Sequence, residues 1–337
     1  ITAFAANTNL LVSTMGYFWE DASVGFTRIL MLAIICALLA WVNVVGTKRA
    51  INAMSWLTVL KFIPLFLLVG VGLWTAAGTS SGWMPAEMTL PGYTDIGTAT
   101  LLVIYAFVGW EAAVIPAGET RNPARDIPRA LIAAMLTVTV LYIAIQYVST
   151  LVMPDLAGSS RPLVEVAAVL MGPAGAVLLT LGVIVSVGGN IAGTYFTTPR
   201  LSYAMAREGT LPAWFGKIHP EYRTPANSIL FFTVVCFLLA VYGSFVWLAA
   251  LSALVRILIY VASISTIPVL RKRNAGRTDV FRLPGGLTIP ALAIIICLWL
   301  MSSVSFTSVA VTIGFLAVGT VLYASVGRDR GASDEKV

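Results

Sequence analysis

The stretch Leu101-Leu-Val-Ile-Tyr105-Ala-Phe-Val-Gly109-Trp-Glu111-Ala-Ala-Val-Ile-Pro-Ala117 is apolar along its whole length except for one carboxylate. An acid within hydrocarbon is costly, and such groups sit in protein-lined cavities on ion or substrate paths. Glu111 therefore marks a chain that carries a solute across a membrane rather than an enzyme. Glycine weakens a helix by about 1 kcal/mol relative to alanine and frees the backbone from helical angles. Gly109, mid-run, reads either as a helix break near Val108 and Gly109 or as a point of close helix packing.

Outward from this stretch the pattern repeats. Apolar residues make up 58% of the 337 positions and charged residues 11%, a balance that places the bulk of the chain in a bilayer. A span of about 20 apolar residues crosses the hydrocarbon. Ten such runs are present, at residues 1–17, 27–45, 51–75, 98–117, 130–153, 175–198, 228–242, 246–270, 287–300 and 308–325. Residues 162–172, apolar but interrupted by Glu165, read as a short interfacial helix. The sequence thus predicts an all-α membrane protein with a transmembrane domain over residues 1–326 and a short tail over 327–337.

The charges sort by loop. Of the 21 Lys and Arg, seventeen fall in alternate loops and the C-terminal tail, only Arg28 and Arg161 fall in the others, and Lys61 and Arg256 lie within spans. Cytoplasmic loops are the basic ones, so the tail is expected in the cytoplasm and residues 18–26 outside, with the protein in the inner (plasma) membrane. The net charge of +6 belongs to this sorting and implies no nucleic-acid partner. Cys36, Cys236 and Cys297 lie in apolar runs as small buried hydrophobes, and a single histidine leaves little material for a His-based metal site. No cofactor is expected. Neither a Walker loop nor a nucleophile elbow appears, so hydrolysis within this chain has no visible basis.

Two cations are buried by position. Lys61 lies eleven residues into its span, roughly 16 Å deep at 1.5 Å per residue. It is a proton-linked group, a built-in cation, or a charge that pairs helices. Arg256 lies ten residues into its own span, with Tyr260 one turn further on the same face. Arginine stays charged and should point inward, whether toward a functional partner such as Glu111 or a structural one.

Three blocks resemble the amino acid-polyamine-organocation superfamily of secondary transporters. They are Phe107-Val-Gly-Trp-Glu111 with Gly118-Glu-Thr-Arg-Asn-Pro-Ala-Arg-Asp-Ile-Pro-Arg129; Thr198-Pro-Arg-Leu-Ser-Tyr-Ala-Met-Ala-Arg-Glu-Gly-Thr-Leu-Pro212; and Tyr222-Arg-Thr-Pro225. The resemblance implies an inverted-repeat (5+5) fold, with the ten spans standing for helices three to twelve of twelve and the first two absent. It implies that Tyr105, Ala106, Phe107, Val108 and Gly109 form an unwound substrate-binding segment, and that Asn7 is placed like a third-helix asparagine that contacts substrate. Glu111 and Tyr260 look like cytoplasmic-side gate residues of arginine/agmatine antiporters. Lys61 looks like the lysine that replaces a sodium ion in some proton-coupled members.

The chain departs from the arginine/agmatine pattern at Tyr105 and Thr194, where that pattern has tryptophans, and at Arg256, whose charge repels a cationic substrate. A neutral or broad-range amino acid is therefore expected, moved by alternating access with protons or a counter-substrate as partner. The other readings are an arginine/agmatine or polyamine antiporter, a membrane amino acid sensor that transports nothing, and a fragment without activity. The sequence leaves the oligomeric state open, a homodimer included.

Overall fold

In hydrocarbon every backbone N–H and C=O has to find its partner within the protein, and a helix does this locally. The computed structural model, which describes residues 1–45, 61–78, 93–110, 120–153, 155–156, 158–159, 161–273, 276 and 285–334, builds the apolar runs as helices. In chain order they are α1 (Thr2–Met15), α2 (Gly25–Val45), α3 (Phe62–Gly78), α4 (Tyr93–Ala106), α5 (Pro123–Val152), α6 (Pro162–Arg207), α7 (Ala226–Tyr242), α8 (Phe245–Ser265), α9 (Ile267–Arg273), α10 (Thr288–Ser302) and α11 (Phe306–Asp334). The described residues contain no strand. Among the described residues, five stretches are long and apolar enough to cross a bilayer unaided: Gly25–Val45, Pro123–Val152, Pro162–Arg207, Phe245–Arg273 and Phe306–Val326. Leu136, Val140 and Ile143 on α5 are each more than 60% exposed, a surface suited to lipid. The chain is an all-α, multi-pass membrane protein.

Helix boundaries refine the sequence reading. The run over 98–117 does not stay helical: α4 stops at Ala106. Residues 162–171 do form a short helix, set off from the long span behind it by Gly172 at φ 68°, ψ −166°. That span then continues past the expected end at 198 to Arg207, with Pro199 inside it. The run over 246–270 is broken at Thr266 into α8 and α9. Pro268, in the first turn of α9, has no N–H to give, and its ring crowds the carbonyl of Ile264 four residues back. Residues 51–60 and 111–119 lie outside the described residues.

The chain divides into two compact units. Unit one comprises Ile1–Glu87, Tyr147–Leu248 and Ile313–Val337; unit two comprises Met88–Gln146 and Ala249–Thr312. Unit one has an aromatic centre in which the rings of Phe4, Tyr195 and Phe232 meet at centroid distances of 5.0 to 5.3 Å, with Leu11, Ile191, Ile229 and Cys236 packed around them. A second core joins Leu68 of α3 to Val164, Val166, Ala167, Ala176 and Leu179 of α6. Unit two is built on Leu101, Ala253, Ile257, Cys297 and Leu300. There α4 approaches α10 closely at Gly97, where a Cβ would come within 2.0 Å of the Ser303 hydroxyl. All three cysteines are buried and free.

Two arginines placed by the sequence among the loop charges are structural in unit one. Arg28 Nη2 donates to Asn9 Oδ1 at 2.6 Å and to the Ala240 and Gly243 carbonyls at 2.9 and 3.3 Å. It thereby satisfies the orphan carbonyls at the end of α7, where the helix dipole also favours a cation. Arg200 donates to Asn43 Oδ1 at 3.2 Å and lies 3.6 Å from the Phe196 ring centroid, and Asn43 in turn donates to the Tyr195 carbonyl.

Candidate substrate site

The site grows from the end of α4 in unit two. After Ala106 the chain tightens: Phe107 N–H donates to the Ile104 carbonyl at 3.0 Å and Val108 N–H to the Tyr105 carbonyl at 3.1 Å, three residues back instead of four. Gly109 then takes φ +114°, a region closed to L side chains. Among the described residues a Cβ built on Gly109 meets nothing within 4 Å, so this glycine is present for its backbone angle. Of the two sequence readings of Gly109, the structure supports the break.

A helix that ends inside an apolar run leaves carbonyls without intrahelical partners. One of them, on Ala106, accepts from the Tyr142 hydroxyl at 3.0 Å, and the Tyr142 ring meets Phe107 edge-on at 5.2 Å. α5 thus braces the unwound segment through a residue that the sequence reading missed. Trp110 packs against Tyr260 of α8 at a centroid distance of 5.8 Å. Arg256 lies on α8 one turn before Tyr260. Tyr105 and Arg256 are half-buried, and Ala106 and Gly109 are exposed. Unit two therefore gathers an open turn of backbone, two phenols and a fixed positive charge.

Glu111 lies outside the described residues, and with it the expected pairings to Arg256 and Tyr260. Asn7 and Lys61 belong to unit one. The Asn7 side-chain amide donates to Asn190 Oδ1 at 2.9 Å, joining α1 to α6 through two amides midway along apolar helices. Asn190 also escaped the sequence reading, although a lone amide in an apolar span is itself a signal. Lys61 is half-buried in the turn just before α3, its ammonium 5.6 Å from the Phe62 ring centroid.

Residues 1–326 match the family model described as amino acid permease. Among curated relatives, the chain is 29% identical over 295 residues to the branched-chain amino acid permease BcaP of Bacillus subtilis (strain 168), covering 85% of this chain and 60% of that protein. It is 29% identical over 298 residues to the methylthioribose transporter of the same organism, covering 86% of this chain and 62% of the relative. To the serine/threonine exchanger SteT, also of B. subtilis (strain 168), it is 27% identical over 281 residues, covering 80% and 61%. The chain spans about 60% of the length of these relatives.

Proposed function

The chain belongs to the amino acid permease family, a family of transporters and not of enzymes, and from that premise we propose that it is a secondary active amino acid transporter of the plasma membrane with a cytoplasmic C-terminus. The observation that carries this reading is the break in α4, where Gly109 at φ +114° opens the backbone inside an apolar run. Broken helices near the bilayer midplane hold the charged ends of polar solutes in many secondary carriers. Tyr105 to Gly109 line the solute site, Arg256 sets its charge, and Glu111 with Tyr260 gates it. On unit one, the amides of Asn7 and Asn190 belong to the solute path, and Lys61 couples protons or stands in for sodium. The mechanism is alternating access around this site.

The substrate is a neutral or broad-range amino acid. A cationic side chain held about 8 Å from the Arg256 guanidinium would be disfavoured by roughly 2 kcal/mol at an effective dielectric of about 20. The branched-chain amino acid permease and the serine/threonine exchanger are named for neutral amino acids, which favours the same class. Proteoliposomes loaded with unlabelled leucine, serine or arginine and diluted into trace label of the same kind test the reading. Transient accumulation of leucine or serine above equilibrium is expected. A sensor that binds without moving its ligand shows none.

A further inference from the structure

Unit one carries a second place where an amino acid fits. A cavity of about 450 Å³ opens where the chain leaves α1 and the 162–171 helix begins, the outer face in the topology proposed above. Its wall holds one cation and one anion, Arg161 at the N-cap of the helix and Glu165 in its first turn. Both are half-buried, and no ion pair joins them among the described residues. Opposite charges left apart in one concavity fit a ligand that carries both. The α-carboxylate and α-ammonium of an amino acid lie roughly 3 Å apart, so one small molecule presents both charges to one concavity.

The rest of the cavity suits the remainder of such a molecule. Val164, Ala168, Pro173 and Ala176 give it an apolar wall for a side chain. The Arg161 guanidinium is steadied over the Tyr17 ring, 5.9 Å from its centroid. The concavity itself is built by the backbone. Gly172, at φ 68°, turns the chain, and Pro173 and Ala176 beyond it line the same cavity as Arg161 and Glu165. Gly175 locks the turn, because any Cβ there would come within 2.4 Å of Met171 and 2.7 Å of the Ala167 carbonyl. Behind the wall, Val164 and Ala176 belong to the buried core with Leu68 and Leu179, so the cavity keeps its shape without a ligand.

We propose that this cavity is a recognition site for a zwitterionic amino acid, separate from the α4 segment, with Arg161 taking the carboxylate, Glu165 the ammonium, and the Val164–Pro173 wall a small or branched side chain. The proposal rests on the amino acid reading above. Equilibrium binding of tritiated L-leucine to the purified protein, expressed from its natural reading frame into phosphatidylcholine vesicles, tests it. Two equivalents are expected for the wild type, and Arg161→Gln or Glu165→Gln should each weaken one of them at least tenfold. The charge-exchanged double variant, Arg161→Glu with Glu165→Arg, should recover part of the loss. On unaltered protein, leucinamide and 4-methylvalerate, each lacking one charge, should fail to displace the second equivalent. One equivalent in a wild type that performs leucine counterflow overturns the outer site and leaves the transport reading standing. Two equivalents that ignore both substitutions, or displacement by either analogue as readily as by leucine, overturn it likewise. A protein that neither binds nor exchanges any amino acid overturns both.

Discussion

Gly109→Ala separates backbone need from space. The native φ of +114° is a conformation that only glycine adopts without strain, while no described residue lies within 4 Å of where a methyl group would stand. Holding alanine in such a region is disfavoured by about 1 to 3 kcal/mol. If the opened backbone is the solute-binding form, that strain is felt in the bound complex and its transition state, and transport efficiency falls roughly 5- to 150-fold. Gly188→Ala is the matched control: a Cβ there also meets nothing within 4 Å, but Gly188 lies inside the α6 helix and has no positive φ, so alanine is expected to be neutral or mildly stabilising. The assay is initial-rate leucine uptake into proteoliposomes against concentration, with the amount of inserted protein measured for each variant. Wild-type kcat/KM in Gly109→Ala would refute the reasoning, because the break would then have no part in binding.

Arg256→Gln should relax selectivity, raising the relative uptake of lysine or arginine against leucine by about thirtyfold, the equivalent of roughly 2 kcal/mol of removed repulsion; competition against labelled leucine measures it. Lys61→Ala should abolish uptake driven by an inward proton gradient while leaving membrane insertion intact, and unchanged gradient-driven uptake would count against its coupling role. Arg28→Gln removes charge-assisted hydrogen bonds from the end of α7 and should destabilise unit one by about 2 kcal/mol, seen as a lower melting temperature in detergent with an unaltered substrate KM.

Helices were legible in the sequence because lipid demands long apolar runs and because glycine and charge punctuate them. Glu165 and Gly172 signalled the short helix before the long span, and Gly109 signalled the break in α4. The split at Thr266 was also written there, in Pro268, but the apolar run around it masked the signal. What the sequence hid were tertiary partners. Tyr142 looks like one more lipid-facing aromatic until α5 is laid beside the end of α4 and its hydroxyl reaches the Ala106 carbonyl. Arg28 counts as a loop charge until the C-terminus of α7, more than 200 residues later, arrives beside it. Asn7 was found through the family pattern, whereas its partner Asn190 required the packing of α1 on α6.

The central claim is that the opened turn after α4 faces the solute path. Ala106 is exposed at that turn, so a cysteine placed there, with Cys36, Cys236 and Cys297 replaced by serine or alanine, reports on it directly. The account predicts that a membrane-impermeant thiol reagent reaches Ala106→Cys from either side of the bilayer and that leucine slows the reaction from both. Modification from one side only, at a rate indifferent to leucine, would contradict it.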